Sequence, residues 1–216
     1  MSTELLFIRH GETDWNRQQR FQGQIDVPLN AVGQAQAERL AARLVAERYD
    51  GLFTSDLARA RQTAAPLAVA WRLQPVAVTA LREQSFGVLE GLTLTEVKER
   101  HAALWQRWLE HDADFALPRG ESLRRFNTRV MTAVRELAAE APARRLAIVT
   151  HGGVLDMLWR SAHGLSLSGL RACNIPNTGV NRLRWAGGTL HIDRWADDEH
   201  LAGLPPQPST AAAGEP

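Results

Sequence analysis

Two of the seven histidines in this chain, His10 and His151, sit in matching surroundings, LLFIRHG and LAIVTHGG. In each, an apolar run ends in a histidine followed by glycine, which lets the backbone turn sharply and approach a ligand. Two further short runs also end in chemistry: Gly51–Thr54 leads into Ser55, Asp56 and Arg59, and Pro75–Thr79 into Arg82 and Glu83. If the four runs are parallel strands of one sheet, these side chains gather along the edge where such sheets bind ligands. Two histidines and a glutamate are also an iron or zinc ligand set, but the guanidinium of Arg9, bonded directly to His10, would repel a divalent cation. The cluster suits an anion.

Arg59 falls in the first turn of a helix for which Ser55 is the expected N-cap, so free N–H groups add partial positive charge there. With Arg9 it can grip phosphoryl oxygens in bidentate fashion, and a carboxylate would not need so many donors. A neutral imidazole can attack phosphorus, and neighbouring arginines keep it unprotonated near neutral pH. Either histidine could serve. His10 is favoured because it shares its turn with Arg9, leaving His151 to donate to the phosphoryl oxygens. Glu83 completes the set: a carboxyl group beside an anion and partly withdrawn from water can protonate a departing alkoxide, then activate water as a carboxylate.

The elements that must position these groups are legible in the apolar periodicity. Leu5–Ile8, Gly51–Thr54, Pro75–Thr79 and Leu146–Thr150 are expected strands. Helices are expected through Ala37–Val45, through Leu57–Trp71 with a kink or break at Pro66, and from about Val154 to Ala162. Two more lie between the third and fourth strands. One runs through Val97, Leu104, Trp105 and Trp108 after a Thr93/Glu96 capping box, the other through Leu123, Phe126, Val130, Val134 and Leu137. VNRLRW and TLHIDRW around AGG mark a closing hairpin. The βαβα order predicts an α/β fold: a mostly parallel sheet with helices on both faces, a helical cap inserted at about 84–122, and a C-terminal hairpin. One domain over 1–202 is expected, with a disordered tail over 203–216.

Composition narrows the partners. Lys and Arg number 25 against 24 Asp and Glu, a formal charge of +1, so nothing suggests the broad basic surface of a nucleic-acid or membrane binder. The apolar runs are too short to cross a bilayer, and three residues before Glu4 leave no room for a leader, so the cytoplasm is the expected location. The single Cys173 has no partner for an intramolecular disulfide and no metal-site spacing around it. The sequence carries no sign of oligomeric state.

With these residues assembled, the chain resembles the histidine phosphatase, or phosphoglycerate mutase-like, superfamily. RHGET at Arg9–Thr13 followed by WN carries the likeness, together with FQGQIDVPLNAVGQAQAERLA, TSDLARARQTA, LREQSFGVLEGLT, GESL and VTHGGV, over roughly Leu5 to Trp195. The resemblance implies that His10 becomes a phosphohistidine, that Arg9, Arg59 and His151 form the phosphate pocket, and that Glu83 is the proton donor. It implies that Asn16, Gln22 and Gly23 line the pocket, that no metal or other cofactor is needed, and that the partner is a small phosphorylated metabolite. The superfamily holds phosphatases and bisphosphoglycerate-dependent mutases. Mutases of this kind carry a longer, more basic segment between the acid and the second histidine; here His151 follows Glu83 by only 68 positions, and the segment between is rich in Trp and Leu. The phosphatase branch is therefore expected, with the mutase as the alternative. A silent, ligand-binding relative would have no chemical need of a nucleophile and an acid together.

Other residues have plainer explanations. Trp108 is expected to pack a helix face, Phe86 and Trp105 are open between packing and lining a leaving-group pocket, and Arg124 and Arg125 suit a solvated face. His101, His111, His163, His191 and His200 lack a strand-end setting and receive no chemistry.

Overall fold

The computed structural model describes residues 2–140 and 144–207. Among these, one sheet of six strands runs in the order β3-β2-β4-β1-β5-β6, with β1 at Ser2–Arg9, β2 at Gly51–Thr54, β3 at Pro75–Ala77, β4 at Arg145–Thr150, β5 at Val180–Ala186 and β6 at Thr189–Asp197. The first four are parallel. The hairpin β5–β6 adds an antiparallel edge beside β1. β4, last of the parallel strands in sequence, lies between β1 and β2, so the connection from β1 to β2 must cross over it. The carboxyl ends of β1 and β4 thus meet at the centre, where both histidines emerge.

Strand alternation explains the two faces. Leu5, Phe7, Leu146 and Ile148 point to one side and pack with α6 (Leu123–Glu140) and α7 (Gly152–His163). Leu6, Ile8, Ala147 and Val149 point to the other and meet α2 (Ala31–Leu44) and α3 (Ala58–Trp71). The β1 and β4 members of both sets are nearly fully buried, as expected for central parallel strands covered on both sides.

Several expectations need correction. α3 is not broken into two pieces at Pro66 but runs as one helix through it. The third strand ends at Ala77 and gives way to a single 3-10 turn over Thr79–Leu81. The cap pattern ending at Trp108 is two helices, α4 (Leu94–Arg100) and α5 (Ala102–Leu109). His101, with φ −135° and ψ 37°, leaves helical geometry between them. A four-residue α1 (Asp14–Arg17), capped by Thr13 and Asn16, was not expected. Of the tail expected to be disordered, Gln207 accepts from Asn177 N and donates to Asn177 O; residues 208–216 lie outside the described residues. Residues of the 84–122 segment form a separate apolar cluster with Phe21, centred on Phe21, Leu89, Val97, Trp105 and Leu117.

Candidate active site

A cavity of about 410 Å³ opens at the carboxyl ends of the strands, and its wall includes Arg9, His10, Asn16, Gln22, Arg59 and Glu83. Gly23 also borders it. His151 is fully buried behind His10, with ring centroids 5.2 Å apart. All eight residues singled out from the sequence are therefore brought together. Of the remaining strand-end groups, Arg82 and Asp56 pair with each other through two bonds of 2.7 and 2.6 Å.

His10, Arg9, Arg59 and Glu83 are held by main-chain atoms. His10 Nδ1 lies 2.7 Å from the carbonyl oxygen of Gly11, which can only accept, so Nδ1 carries the proton and Nε2 keeps its lone pair. The carbonyl of His10 accepts from Asn177 Nδ2 at 2.9 Å. Gly11 N donates to Thr63 Oγ1, and a Cβ at Gly11 would come within 2.6 Å of the Gly33 carbonyl, so only glycine lets α2 approach this turn. Arg9 donates to Ile175 O at 2.6 Å, and Arg59 to Gly23 O and Ile25 O at 2.7 and 2.9 Å. These carbonyls fix the two guanidiniums yet leave the Nε atoms of both buried without a partner.

Glu83 accepts from Gln84 N through one oxygen and from Gly153 N through the other, at 2.9 and 3.0 Å. A Cβ at position 153 would lie 2.1 Å from Glu83 Oε1, so the second glycine after His151 makes room for the carboxylate. Thr13 N donates to Asn16 Oδ1 and the single proton of the Thr13 hydroxyl is free for Gln22 Oε1, tying down both amide oxygens and leaving both NH₂ groups as donors.

Burial, followed by Arg59 and Arg9, holds the His10 imidazole well below its ordinary pKa. His151 is lowered likewise, by burial, then Arg59, His10 and Arg9. Burial also pushes both arginines down to about 10, which leaves them cationic at neutral pH. The site therefore combines two neutral imidazoles with two fixed cations and the carboxyl group of Glu83.

Some roles differ from expectation. Ser55 is not the helix cap: α3 begins after Leu57, and Asp26 Oδ1 accepts from Ala58 N instead. Ser55 Oγ shares a 2.8 Å hydrogen bond with His151 Nε2. Trp108 packs against the apolar cluster of the 84–122 segment, as expected, and also lines the cavity with Phe86 and Leu94, while Trp105 is buried in that cluster. His111, given no role, also borders the cavity. Arg124 pairs with Asp114 at the surface, as expected. Thr13, Thr63 and Asn177 were missed; the capping pattern of Thr13 and Asn16 was a usable signal, whereas the other two meet the site only through the fold. Among the described residues no helix is long and apolar enough to cross a membrane.

The model of the histidine phosphatase superfamily (branch 1) matches residues 5–198. Phosphoglycerate mutase-like protein 4 of Arabidopsis thaliana is 34% identical over 202 residues, covering 92% of this chain and 86% of that protein. A metal-independent phosphoserine phosphatase of the same plant is 34% identical over 205 residues, covering 94% and 84%. The solved structure of Bacillus stearothermophilus YhfR superposes with a TM-score of 0.86 at 30% identity, covering 92% of this chain and 99% of that one.

Proposed function

The chain belongs to the histidine phosphatase superfamily, and on that footing we propose that it hydrolyses small phosphate monoesters through a phosphohistidine at His10, without a metal ion. One observation carries this: the Gly11 carbonyl engages Nδ1–H of a buried, neutral His10, so Nε2 has a lone pair in a cavity that also holds Arg9, Arg59 and Glu83.

In the first half-reaction His10 Nε2 attacks phosphorus as the ester P–O bond breaks, and Glu83 gives its proton to the departing alkoxide. Arg9 and Arg59 hold the equatorial oxygens as charge spreads over them. His151 Nδ1, buried without a partner, is the further donor, with the Ser55 hydroxyl donating to Nε2 to set that tautomer. In the second half-reaction the Glu83 carboxylate takes a proton from water, the oxygen attacks phosphorus, the N–P bond breaks, and inorganic phosphate leaves with His10 neutral again. Asn16 and Gln22 contribute NH₂ donors beside the Gly23 turn.

Phosphatase is favoured over mutase by the cap. Between 84 and 122 the wall is formed by Gln84, Phe86, Leu94, Trp108 and His111, so this segment itself adds no lysine or arginine for a second phosphate. A relative named as a metal-independent phosphoserine phosphatase supports the same branch.

The test is to incubate the protein with ³²P-labelled ester, quench, and map the label. Acid-labile, base-stable label on His10 is expected, with turnover by His10→Ala reduced to about 10⁻⁴ of the parent or less. Normal turnover by His10→Ala would refute the assignment. A coupled assay for conversion of 3-phosphoglycerate to 2-phosphoglycerate, run beside phosphate release, separates the branches, and release without conversion is expected.

A further inference from the structure

The tautomer of His10 hangs on one peptide unit. The Gly11 carbonyl, 2.7 Å from His10 Nδ1, and the N–H of Glu12 belong to the same planar group, so whatever turns that N–H turns the carbonyl with it. On the glycine side the plane rotates at little steric cost, so something other than the local chain must fix it. Glu12 N donates to Gln36 Oε1 at 2.8 Å, and both residues are fully buried. Gln36 lies 24 positions further on, in the buried face of α2 with Gly33, Ala37 and Leu40. The N–H of Glu12 can only donate, which assigns the Gln36 amide with its oxygen toward the peptide.

The rest of Glu12 is held by the start of the same helix. Asn30, the N-cap of α2, donates from its main-chain N to Glu12 O at 3.0 Å and from Nδ2 to Glu12 Oε1 at 2.9 Å. Gly33 makes this approach possible: a Cβ there would lie 2.1 Å from Glu12 O and 2.7 Å from Glu12 N. On the other side of Gly11 the preceding peptide is fixed from α3, where Thr63 Oγ1 accepts from Gly11 N at 2.9 Å and donates to Arg59 O at 2.7 Å. Each peptide flanking Gly11 thus donates to a buried side chain, and the two side chains come from different helices.

Stability alone is a poor reason for a glutamine at position 36. An apolar side chain would suit the buried face of α2, and Gln36 leaves its own Nε2 buried with no hydrogen-bond partner among the described residues. Satisfying one N–H while withdrawing another amide from water gains little. What the contact does gain is direction, because a hydrogen bond fixes an angle and apolar packing does not. We propose that Gln36 is a positioning residue for the nucleophile: by holding the Gly11–Glu12 peptide it keeps the Gly11 carbonyl on His10 Nδ1, and so keeps the lone pair on Nε2. This rests on the phosphohistidine function proposed above. With the carbonyl turned away, a neutral imidazole can carry its proton on either nitrogen, and the form protonated at Nε2 has no lone pair there to attack phosphorus. Arg9 and Arg59 are anchored separately, on the carbonyls of Ile175, Gly23 and Ile25, so the grip on the phosphoryl group stays intact.

The test is Gln36→Met, which keeps the length of the side chain and removes its acceptor. kcat is expected to fall about 10–100-fold on an alkyl phosphate and on p-nitrophenyl phosphate alike, with KM within about twofold of the parent. Gln36→Glu, which keeps an oxygen facing Glu12 N, should recover part of the loss. Nitrogen-15 NMR of protein labelled at histidine, with the His10 signals assigned by their disappearance in His10→Asn, reads the tautomer without substrate. The bare nitrogen should be Nε2 in the parent and be shared between Nε2 and Nδ1 in Gln36→Met. A parental kcat in Gln36→Met, a fall in kcat with the tautomer unchanged, or a raised KM at constant kcat would each overturn the proposal, as would a parent protonated at Nε2. If Gln36→Met does not fold, Gln36→Asn, which draws the amide back by one methylene, is read in the same way, with a loss of about 3–10-fold in kcat expected. Phosphate release by the parent with label on His10, together with an unchanged tautomer in the variant, defeats only the role of Gln36, whereas no release from any ester defeats both.

Discussion

His10, Arg9, Arg59 and Glu83 are each anchored to main-chain groups of the sheet edge and its neighbouring loops. Across the cavity, Phe86, Leu94 and Trp108 belong instead to the apolar cluster of the cap, where the Phe86 and Trp108 rings meet edge to face at 5.7 Å. Hydrogen bonds to backbone are directional, so the first set is held in one geometry around a group common to every phosphate monoester. Apolar contacts are not directional and tolerate repacking, so the second set can accept changes of shape with little effect on the first. The catalytic end and the leaving-group end are therefore separable in principle, and three measurements probe that separation.

The largest effect is expected at Glu83. Glu83→Gln keeps the shape but cannot act as the acid, so kcat/KM on an alkyl phosphate should fall by about 10²–10⁴. The loss on p-nitrophenyl phosphate, whose leaving group hardly needs a proton, should be at least about tenfold smaller. Equal losses on the two esters would remove the acid role and leave Glu83 as a structural acceptor for Gly153 N.

Trp108→Ala acts on the other end. Removing the indole that lines the cavity should raise KM by about 3–10-fold while kcat stays within about twofold. A fall in kcat at constant KM would mean that the cap wall helps to hold the reacting geometry, and the two ends would not be independent.

The smallest effect concerns stability. His10 and His151 have pKa values held below the ordinary histidine value by burial first and Arg59 next. The unfolded chain therefore takes up protons at these positions near pH 6.5 while the folded chain does not. The native state keeps its full stability above that pH and loses it as pH falls, by about 1.4 kcal/mol per pH unit for each histidine concerned. Urea midpoints at pH 7.5 and 5.5 should show the decline, and His151→Asn should make it shallower. A His151→Asn slope equal to that of the parent would show that the burial of this imidazole has no part in the pH dependence.

Legibility in the sequence follows the same division. The strand-end histidines were visible because an apolar run stopped by His-Gly is a local pattern, and the four parallel strands followed from their spacing. Ser55 could not be read correctly: its position suits a helix cap, and only the packing of β2 against β4 brings its hydroxyl to His151 Nε2. Arg82 and Arg59 both follow strands, but Asp56 claims the first. Trp105 and Trp108 are three residues apart, and which faces the cavity depends on the helix break at His101, which changes the rotational phase of α5.

The amino-acid sequence alone determined the α/β architecture, the family, and the gathering of two imidazoles, two guanidiniums and a carboxylate at one edge, because periodicity and strand-end chemistry are local properties of the chain. The tertiary structure alone decided which nitrogen of His10 holds the proton, which strand-end charges pair off with each other, and which tryptophan faces the cavity. Those outcomes depend on distances between residues far apart in the chain, and hydrogen bonding and charge pairing change sharply over such distances.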